Sequence, residues 1–514
     1  MRTADAQRVW ELGRAAVHAA RLRASDADAR ESATDVLVDD LRGLQGLPQK
    51  LGQIFALDEL TGDVQRFTPL TESRAGVETG MPSEVAFARI ESELGGPLHR
   101  FFRSVSRDAM AASLGQVHRG VLLDGREVAI KVQYPDVARA LETDLAAIGL
   151  LTIPFGVRAR GLDASAYREE LGGMARAECD YRAEAANIRR FDWLTSWPDV
   201  RIPSVVDELS TERVLTMTWV DGHSFREVRD WSLEDRARVG GSMARVLAAS
   251  LFVHGVVHAD PHPGNLRFSM SPDGPRLGLL DFGCVKTIAP AFGASFRELL
   301  IRLDGGDASP TRVFELFVAM GFRADLLAPL APRLPQIAAS LFAPLVSREP
   351  FFFGDWSPGK DIADLLGDDR WNFRIAGPAG ALYVMRAYHG LTKYLDALDA
   401  PVDLRGIFLA ADPSPATVVD WARIAADARA ALAPDQKRLL VRVTDDGRMK
   451  VQVTFGAGVT EGLADLVPDE VVPLLDARGI DAAAIGRDAI ERGLPRGELF
   501  ALDEGARTVR VSIE

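Results

Sequence analysis

The chain has 514 residues, 47% of them hydrophobic and 26% charged, with a formal net charge of −13. That is the composition of ordinary globular protein, long enough for about two to four domains with their own cores. The negative balance excludes a nonspecific nucleic-acid binder, two cysteines exclude a disulfide framework, and no run reaches the roughly 18 apolar residues of a membrane span.

In chain order, residues 1–83 read as a helical extension, with Val, Leu and Trp at helical spacing. Within it, Lys50-Leu-Gly52-Gln53 stands among glycines and a proline; by residue type alone this is a helix corner with a solvated lysine. A helix over 82–103 opens on Pro82-Ser83-Glu84. Ala111-Ala112-Ser113-Leu-Gly115-Gln116 then precedes two alternating apolar runs joined by Asp124-Gly125, which is a hairpin signal. A segment so rich in alanine is expected to be stiff and helical. The second run ends in Val128-Ala-Ile-Lys131, a lysine whose neighbours draw it inward; the alternative is an edge-strand lysine reaching out to solvent.

A helix over Tyr167–Leu194 carries Glu178, Asp180, Tyr181 and Glu184. Glu178, Tyr181 and Glu184 share a face, so a carboxylate can pair with Lys131, unless this is an ordinary solvated helix face. Val205–Val206 and Arg213–Val220 are strands closed by Asp221-Gly222, and 233–257 is a helix. It delivers the chain to Asp260-Pro-His-Pro-Gly-Asn265, then to the apolar run Leu277–Leu280 and Asp281-Phe-Gly283. Helices continue to about 410, 411–436 is a linker, and 437–514 forms a small α+β module opening on a hairpin around Asp445-Asp446-Gly447.

An Asp, an Asn five positions on, a short strand and Asp-Phe-Gly match the catalytic half of a kinase, in which the first Asp orients the attacking hydroxyl and the other two residues hold magnesium on the phosphates. Lysine strand, acidic helix, hinge, D-x4-N and DFG occur here in kinase order. The expected fold is therefore α+β, a protein-kinase-like bilobal fold. The N-lobe covers 84–220 and the helical C-lobe 221–410, flanked by the N-terminal helical extension and the C-terminal module. Backbone groups around Met217 and Val220 would meet the adenine edge. The missing glycine-rich loop sets this chain apart from ordinary protein kinases.

KLGQ (Lys50–Gln53), AASLGQVHRG (Ala111–Gly120), VAIKVQYP (Val128–Pro135), ECDYRAEAAN (Glu178–Asn187), VLTMTWVDG (Val214–Gly222), HADPHPGN (His258–Asn265) and LDFG (Leu280–Gly283) together resemble the UbiB/AarF family of atypical kinases. The resemblance implies ATP (or ADP) and Mg2+ as cofactors. Lys131 would bind the phosphates and pair with Glu184, Asp260 would be the catalytic Asp, and Asn265 and Asp281 the magnesium ligands. Ala111, Ala112, Ser113, Gly115 and Gln116 would form an alanine-rich loop over the nucleotide. Lys50, Gly52 and Gln53 would form a lid meeting Glu178 and Asp180, closing the groove that admits a peptide in protein kinases.

The implied function is an ATPase or small-molecule kinase supporting isoprenoid-quinone (ubiquinone-type) metabolism, with a lipid or quinone-precursor ligand and no nucleic acid. The expected location is the cytoplasm, with peripheral attachment to the inner membrane face. The runner-up function is a nucleotide-binding regulatory scaffold with little turnover, and the third a conventional protein kinase. Two departures from the family pattern are Ile54-Phe-Ala-Leu after KLGQ and Thr218 at a hinge position that is commonly acidic.

Overall fold

The computed structural model describes residues 81–112, 114–135, 179–354, 356–412, 419–432, 437–445, 447–456, 475–504 and 507–514, with 137, 173, 460, 463 and 464. The N-terminal extension up to residue 80, with Lys50, Gly52 and Gln53, lies outside the described residues, as do Ser113 and Glu178.

The first described helix, α1, is Ser83–Leu94, shorter than its sequence suggests. Gly95 ends it in the left-handed region at φ 71°, a conformation that costs glycine little, and the Gly96-Pro97 that follows cannot resume the helix. Four antiparallel strands come next in the order β1 (Phe102–Ala112), β2 (Gly115–Leu122), β3 (Glu127–Gln133), β5 (Val214–Thr218). The two faces of this sheet have different fates. Val128, Ile130, Val132 and Val214 pack on Ile90 of α1 and on Phe102, each large apolar side chain stabilising by about 1.5–3 kcal/mol. Ala129, Leu215 and Met217 belong instead to the core shared with the helical lobe.

The helix expected over Tyr167–Leu194 appears, among described residues, as α2, Tyr181–Arg190. Asp180 caps it, its side chain accepting from the Arg182 N–H at 2.9 Å, so Asp180 works as an N-cap. The helix expected to reach 257 stops earlier: α3 is Leu233–Ala249, a π-turn follows at Ser250–His254, and Gly255 at φ 62° releases the chain into β6, Val256–His258.

Strand β6 pairs with β9 (Val285–Thr287). The hairpin β7 (Leu266–Ser271) and β8 (Gly274–Leu279) adds the two-residue strand β4 (Val200–Arg201), parallel to β8. Helices then dominate, including α4 (Pro290–Gly305), α5 (Pro310–Ala319), α6 (Arg370–Ala376) and the 20-residue α7 (Ala379–Leu398). The architecture is the expected protein-kinase-like α+β fold, a small sheet lobe over a helical lobe. No described helix is long and apolar enough to cross a membrane.

The expected linker at 411–436 contains a helix, α8, Trp421–Ala431. Asp420 caps it, and the Arg312 guanidinium of α5 lies 4.1 Å from the Trp421 ring centre. The proline and serine that suggested a linker occupy only the stretch before that cap. In the C-terminal module the hairpin is β10 (Arg438–Asp445) with β11 (Arg448–Gly456), and α9 is Ala482–Glu491. An unanticipated strand, β12 (Gly497–Glu504), sits beside β13 (Arg507–Ile513), giving the order β11-β10-β13-β12. The module is docked on the helical lobe. Asn372 of α6, 1% exposed, donates to the Thr454 carbonyl at 2.9 Å and accepts from its N–H at 3.2 Å, completing the edge of β11 as another strand would.

Candidate active site

Strand register decides which side chains reach the cleft between the lobes. Lys131 pairs with Val117 and Leu215, and Ala129 with Arg119 and Met217, so Val117, Ala129, Lys131 and Met217 share one face. Gln116 pairs with Val132 and His118 with Ile130, which places them on the opposite face. The expectation that Gln116 belongs with the nucleotide contacts is therefore corrected. Its carboxamide is buried behind the sheet, 2.9 Å from His118 Nε2.

His118 is fully buried, its Nδ1 2.8 Å from the Ser106 carbonyl and its ring 5.4 Å from that of Phe87. Burial pulls its pKa below the ordinary 6.5, against the contrary effect of the Ser106 carbonyl. The unfolded chain thus takes up a proton near pH 6.5 that the folded chain refuses, and stability falls as pH drops below that value. The unfolding free energy from urea titrations should decline between pH 7.5 and 5.5, by up to about 1.4 kcal/mol per pH unit for one group; a His118→Gln variant with an undiminished decline would contradict this source.

The alanine-rich segment is not helical. Ala111 pairs with Gln116 and Ala112 with Gly115, so the alanines run as strand into a tight turn; the ladder overrides alanine's helix preference. Gly115 is required at the corner, because a Cβ there would stand 2.1 Å from the Val132 carbonyl and 2.9 Å from the Tyr181 hydroxyl.

Beneath that turn lies the central cluster. Lys131 Nζ donates to Glu184 Oε1 at 2.9 Å and Oε2 at 2.8 Å, and to Asp281 Oδ2 at 2.9 Å. It also lies 5.2 Å from the Tyr181 ring centre, a cation–π contact. Burial works against the ammonium, but the Asp281 and Glu184 carboxylates hold it charged well above its ordinary range. Burial pushes the Glu184 carboxyl up, to about 7, while Lys131 pulls it back. Two carboxylates facing one ammonium leave a surplus negative charge, and the more deeply buried acid takes the upward shift.

Asp281 is aimed at Lys131 because Phe282 is anchored beneath α2. The Phe282 ring is fully buried, 5.3 Å from both Phe191 and His258. Its carbonyl accepts from Asn187 Nδ2 at 3.0 Å, and its N–H donates to Glu184 Oε1 at 3.3 Å. His258 Nε2 closes on the Asp281 carbonyl, and the Gly283 N–H donates to Asp281 Oδ1 at 2.9 Å.

Asp260 follows β6, Asn265 precedes β7 and Asp281 follows β8, so three strand ends converge. Asn265 Nδ2 donates to Asp260 Oδ2 at 2.8 Å. That use of the amide nitrogen leaves the carboxamide oxygen as the group a cation would meet. One carboxylate and one carboxamide oxygen suit magnesium, which keeps waters and phosphate oxygens as its other ligands. Among described residues no cluster of three or more His, Cys, Asp or Glu could cage a metal unaided.

At the hinge, the Thr218 and Trp219 N–H groups are committed to the Ser204 and Glu127 carbonyls at 2.9 and 3.0 Å. Of the backbone groups expected to face adenine, the Val220 N–H is the donor with no partner among the described residues. Its side chain fits against Gly278 of β8, where a Cβ would stand 2.9 Å away.

The structure thus brings together Lys131, Glu184, Asp260, Asn265 and Asp281, with Ala111, Ala112 and Gly115 at the turn of the lobe above. Sequence reasoning missed Asn187, Tyr181 as a lysine platform, and Arg386, whose guanidinium meets Asp260 Oδ1 at 2.8 Å. Asn187 sat inside a quoted motif on the face of Glu184 and could have been found by helical spacing. Arg386, 126 positions from Asp260, left no such signal.

The description "ABC1 atypical kinase-like domain" matches residues 78–312. The chain is 31% identical to an uncharacterized protein of Synechocystis over 65% of this chain and 46% of that one. It is 28% identical to the mitochondrial atypical kinase coq-8 of Caenorhabditis elegans over 74% of this chain and 50% of that one. A solved Mycobacterium tuberculosis structure, Rv3197 with erythromycin, is 23% identical, covering 76% of this chain and 98% of that one at a TM-score of 0.48. The chain spans about half the length of the curated relatives it matches. Over residues 78–312, a little under half of the chain, the match is to an ABC1 atypical kinase-like domain, which agrees with the resemblance to the UbiB/AarF family of atypical kinases carried by the motifs above.

Proposed function

We propose that this chain binds ATP with magnesium and either hydrolyses it or transfers its terminal phosphate to a small, lipid-like acceptor, in support of isoprenoid-quinone (ubiquinone-type) metabolism. The observation that carries the reading is the Lys131 ammonium held between Glu184 and Asp281, with the Asp260–Asn265 pair tied to the approach to Asp281 by the Leu280 N–H, which donates to the Asn265 carbonyl at 2.9 Å. Such a cluster is ready to trade a carboxylate for phosphate oxygens at little cost in reorganisation.

In this reading Lys131 grips the α- and β-phosphates and Glu184 fixes its position. Ala111, Ala112, Ser113 and Gly115 cover the phosphates. Met217 and Val220 line the base pocket, with the Val220 N–H as the donor to the base edge. Asn265 and Asp281 would hold magnesium, which supplies neutralisation of charge on the phosphates when bound. Asp260 orients the attacking hydroxyl or water and accepts its proton. Lys50, Gly52, Gln53 and Glu178 keep their proposed lid role, whereas the capping bond of Asp180 gives that residue a local structural task. The protein would act in the cytoplasm, attached peripherally to the inner membrane face.

The test is turnover of radiolabelled ATP by purified protein, with and without phospholipid vesicles and phenolic quinone-precursor mimics. Asp281→Asn should cut magnesium-dependent turnover by about a hundredfold or more. Undiminished hydrolysis in that variant would sink the assignment. Nucleotide binding without turnover under every condition would favour a regulatory scaffold, and robust phosphorylation of a generic peptide a conventional protein kinase.

A further inference from the structure

The family match ends at residue 312, yet Asp260 is held from well beyond it. Asp260 is 8% exposed and Arg386, near the middle of α7, is 9% exposed. The guanidinium donates to Asp260 Oδ1 at 2.8 Å while Asn265 donates to Oδ2 at 2.8 Å, so each carboxylate oxygen has its own donor. One helical turn on, Gly390 faces Pro261, and a Cβ at 390 would stand 2.2 Å from the proline Cβ. After a further turn, the Tyr394 hydroxyl donates to the Pro261 carbonyl at 2.7 Å. Positions 386, 390 and 394 recur every four residues, a single stripe along one helix face. The loop bearing Asp260 is seated on α7 at three consecutive points.

We infer that Arg386 is a positioning residue for the phosphoryl transfer proposed above, acting through Asp260, and the inference rests on that reading. A carboxylate turns easily about its last torsion, which is broad and nearly twofold. Two donors, one on each oxygen, fix its plane, so the lone pairs that remain are presented in one direction. Arginine suits this task because its guanidinium stays charged and planar. A buried ion pair is weak as a source of stability alone, since well-packed apolar residues often do as well; its placement on the reacting carboxylate fits positioning better. In the step served, the acceptor oxygen bonds to the terminal phosphorus as the bond to the bridging oxygen breaks. The nucleoside diphosphate leaves with that electron pair, and the acceptor's proton passes to Asp260 and then to solvent.

The experiment measures kcat, KM for ATP and equilibrium nucleotide binding for Arg386→Gln, Arg386→Lys, Asp260→Asn and the double variant Asp260→Asn with Arg386→Gln, with thermal midpoints for all. Arg386→Gln should lower kcat about ten- to a hundredfold and leave nucleotide Kd within about threefold. Arg386→Lys should recover part of the loss, because an ammonium supplies the charge without the fork. In the Asp260→Asn background, Arg386→Gln should cost no more than about twofold further, since residues acting as a unit are non-additive. Should Arg386→Gln fail to fold, Tyr394→Phe, which removes only the hydroxyl donor, is expected to lower kcat with nucleotide Kd unchanged. Wild-type kcat in both Arg386→Gln and Tyr394→Phe, multiplicative losses in the double variant, or a parallel loss of nucleotide binding would overturn the inference. A wild-type protein that neither binds nor turns over nucleotide overturns the phosphotransferase reading and this inference with it; a working wild type in which Asp260→Asn loses turnover while Arg386→Gln and Tyr394→Phe keep it overturns this inference alone.

Discussion

Replacing Lys131 with methionine should abolish nucleotide turnover, weaken nucleotide binding about tenfold or more, and lower the free energy of unfolding by roughly 3–5 kcal/mol. The functional loss follows because no other cation meets both Glu184 and Asp281 among the described residues. The stability loss follows because methionine fills the volume but removes the ammonium that both carboxylates share, one of them 3% exposed. Burial already pushes Glu184 upward, so in the variant it would take up a proton, which softens the penalty without restoring the lost bonds. Denaturant midpoints and titration with a fluorescent nucleotide check both parts. A variant as stable as the parent would mean that this ion cluster is not what couples the two lobes.

The second large effect is expected at Gly390. In an open helical position Gly→Ala stabilises by about 0.5–1 kcal/mol. Gly241 of α3 meets nothing within 4 Å, so Gly241→Ala should show that gain. At Gly390 the new Cβ would stand 2.2 Å from the Cβ and 2.5 Å from the Cγ of Pro261, a rigid ring that cannot swing aside. Overpacking of this kind costs about 1–3 kcal/mol, which outweighs the helix gain. The displaced residue adjoins Asp260, so turnover should fall about tenfold or more while nucleotide binding is kept. Gly390→Ala with full activity and raised stability would show that the loop can move away from α7 freely.

The residues with the clearest chemistry were legible because short connections fix their spacing. Asp260 and Asn265 are separated by a single tight turn, and Asp281 comes two residues after the end of β8, so D-x4-N and DFG are readable as the two ends of the short β7–β8 hairpin. Lys131 was legible from its apolar neighbours and Glu184 from helical spacing. What failed was whatever depends on a partner chosen by the fold. Alanine preference pointed Ala111 and Ala112 toward helix, but the ladder with Gln116 and Gly115 settled them as strand. The family resemblance put Gln116 in the loop over the nucleotide, yet the two-residue period of a strand turned it to the back of the sheet. Asp180 sat within a run of helix formers, and only the position of the first helical turn makes it a cap. The proline and serine near 413 marked a break without revealing that Trp421 would find Arg312. Arg386 lay in an ordinary helix, and its meaning comes from a carboxylate brought to it by tertiary packing alone.

The central claim is a magnesium-dependent nucleotide site built on Lys131, Asn265 and Asp281. Equilibrium titration of the wild-type protein with ATP, in excess magnesium and again in EDTA, tests it most directly, with Asp281→Asn alongside. The account predicts saturable binding that magnesium strengthens about tenfold or more in the wild type and fails to strengthen in Asp281→Asn. Binding that is absent in both conditions, or is indifferent to magnesium in the wild type, would contradict it.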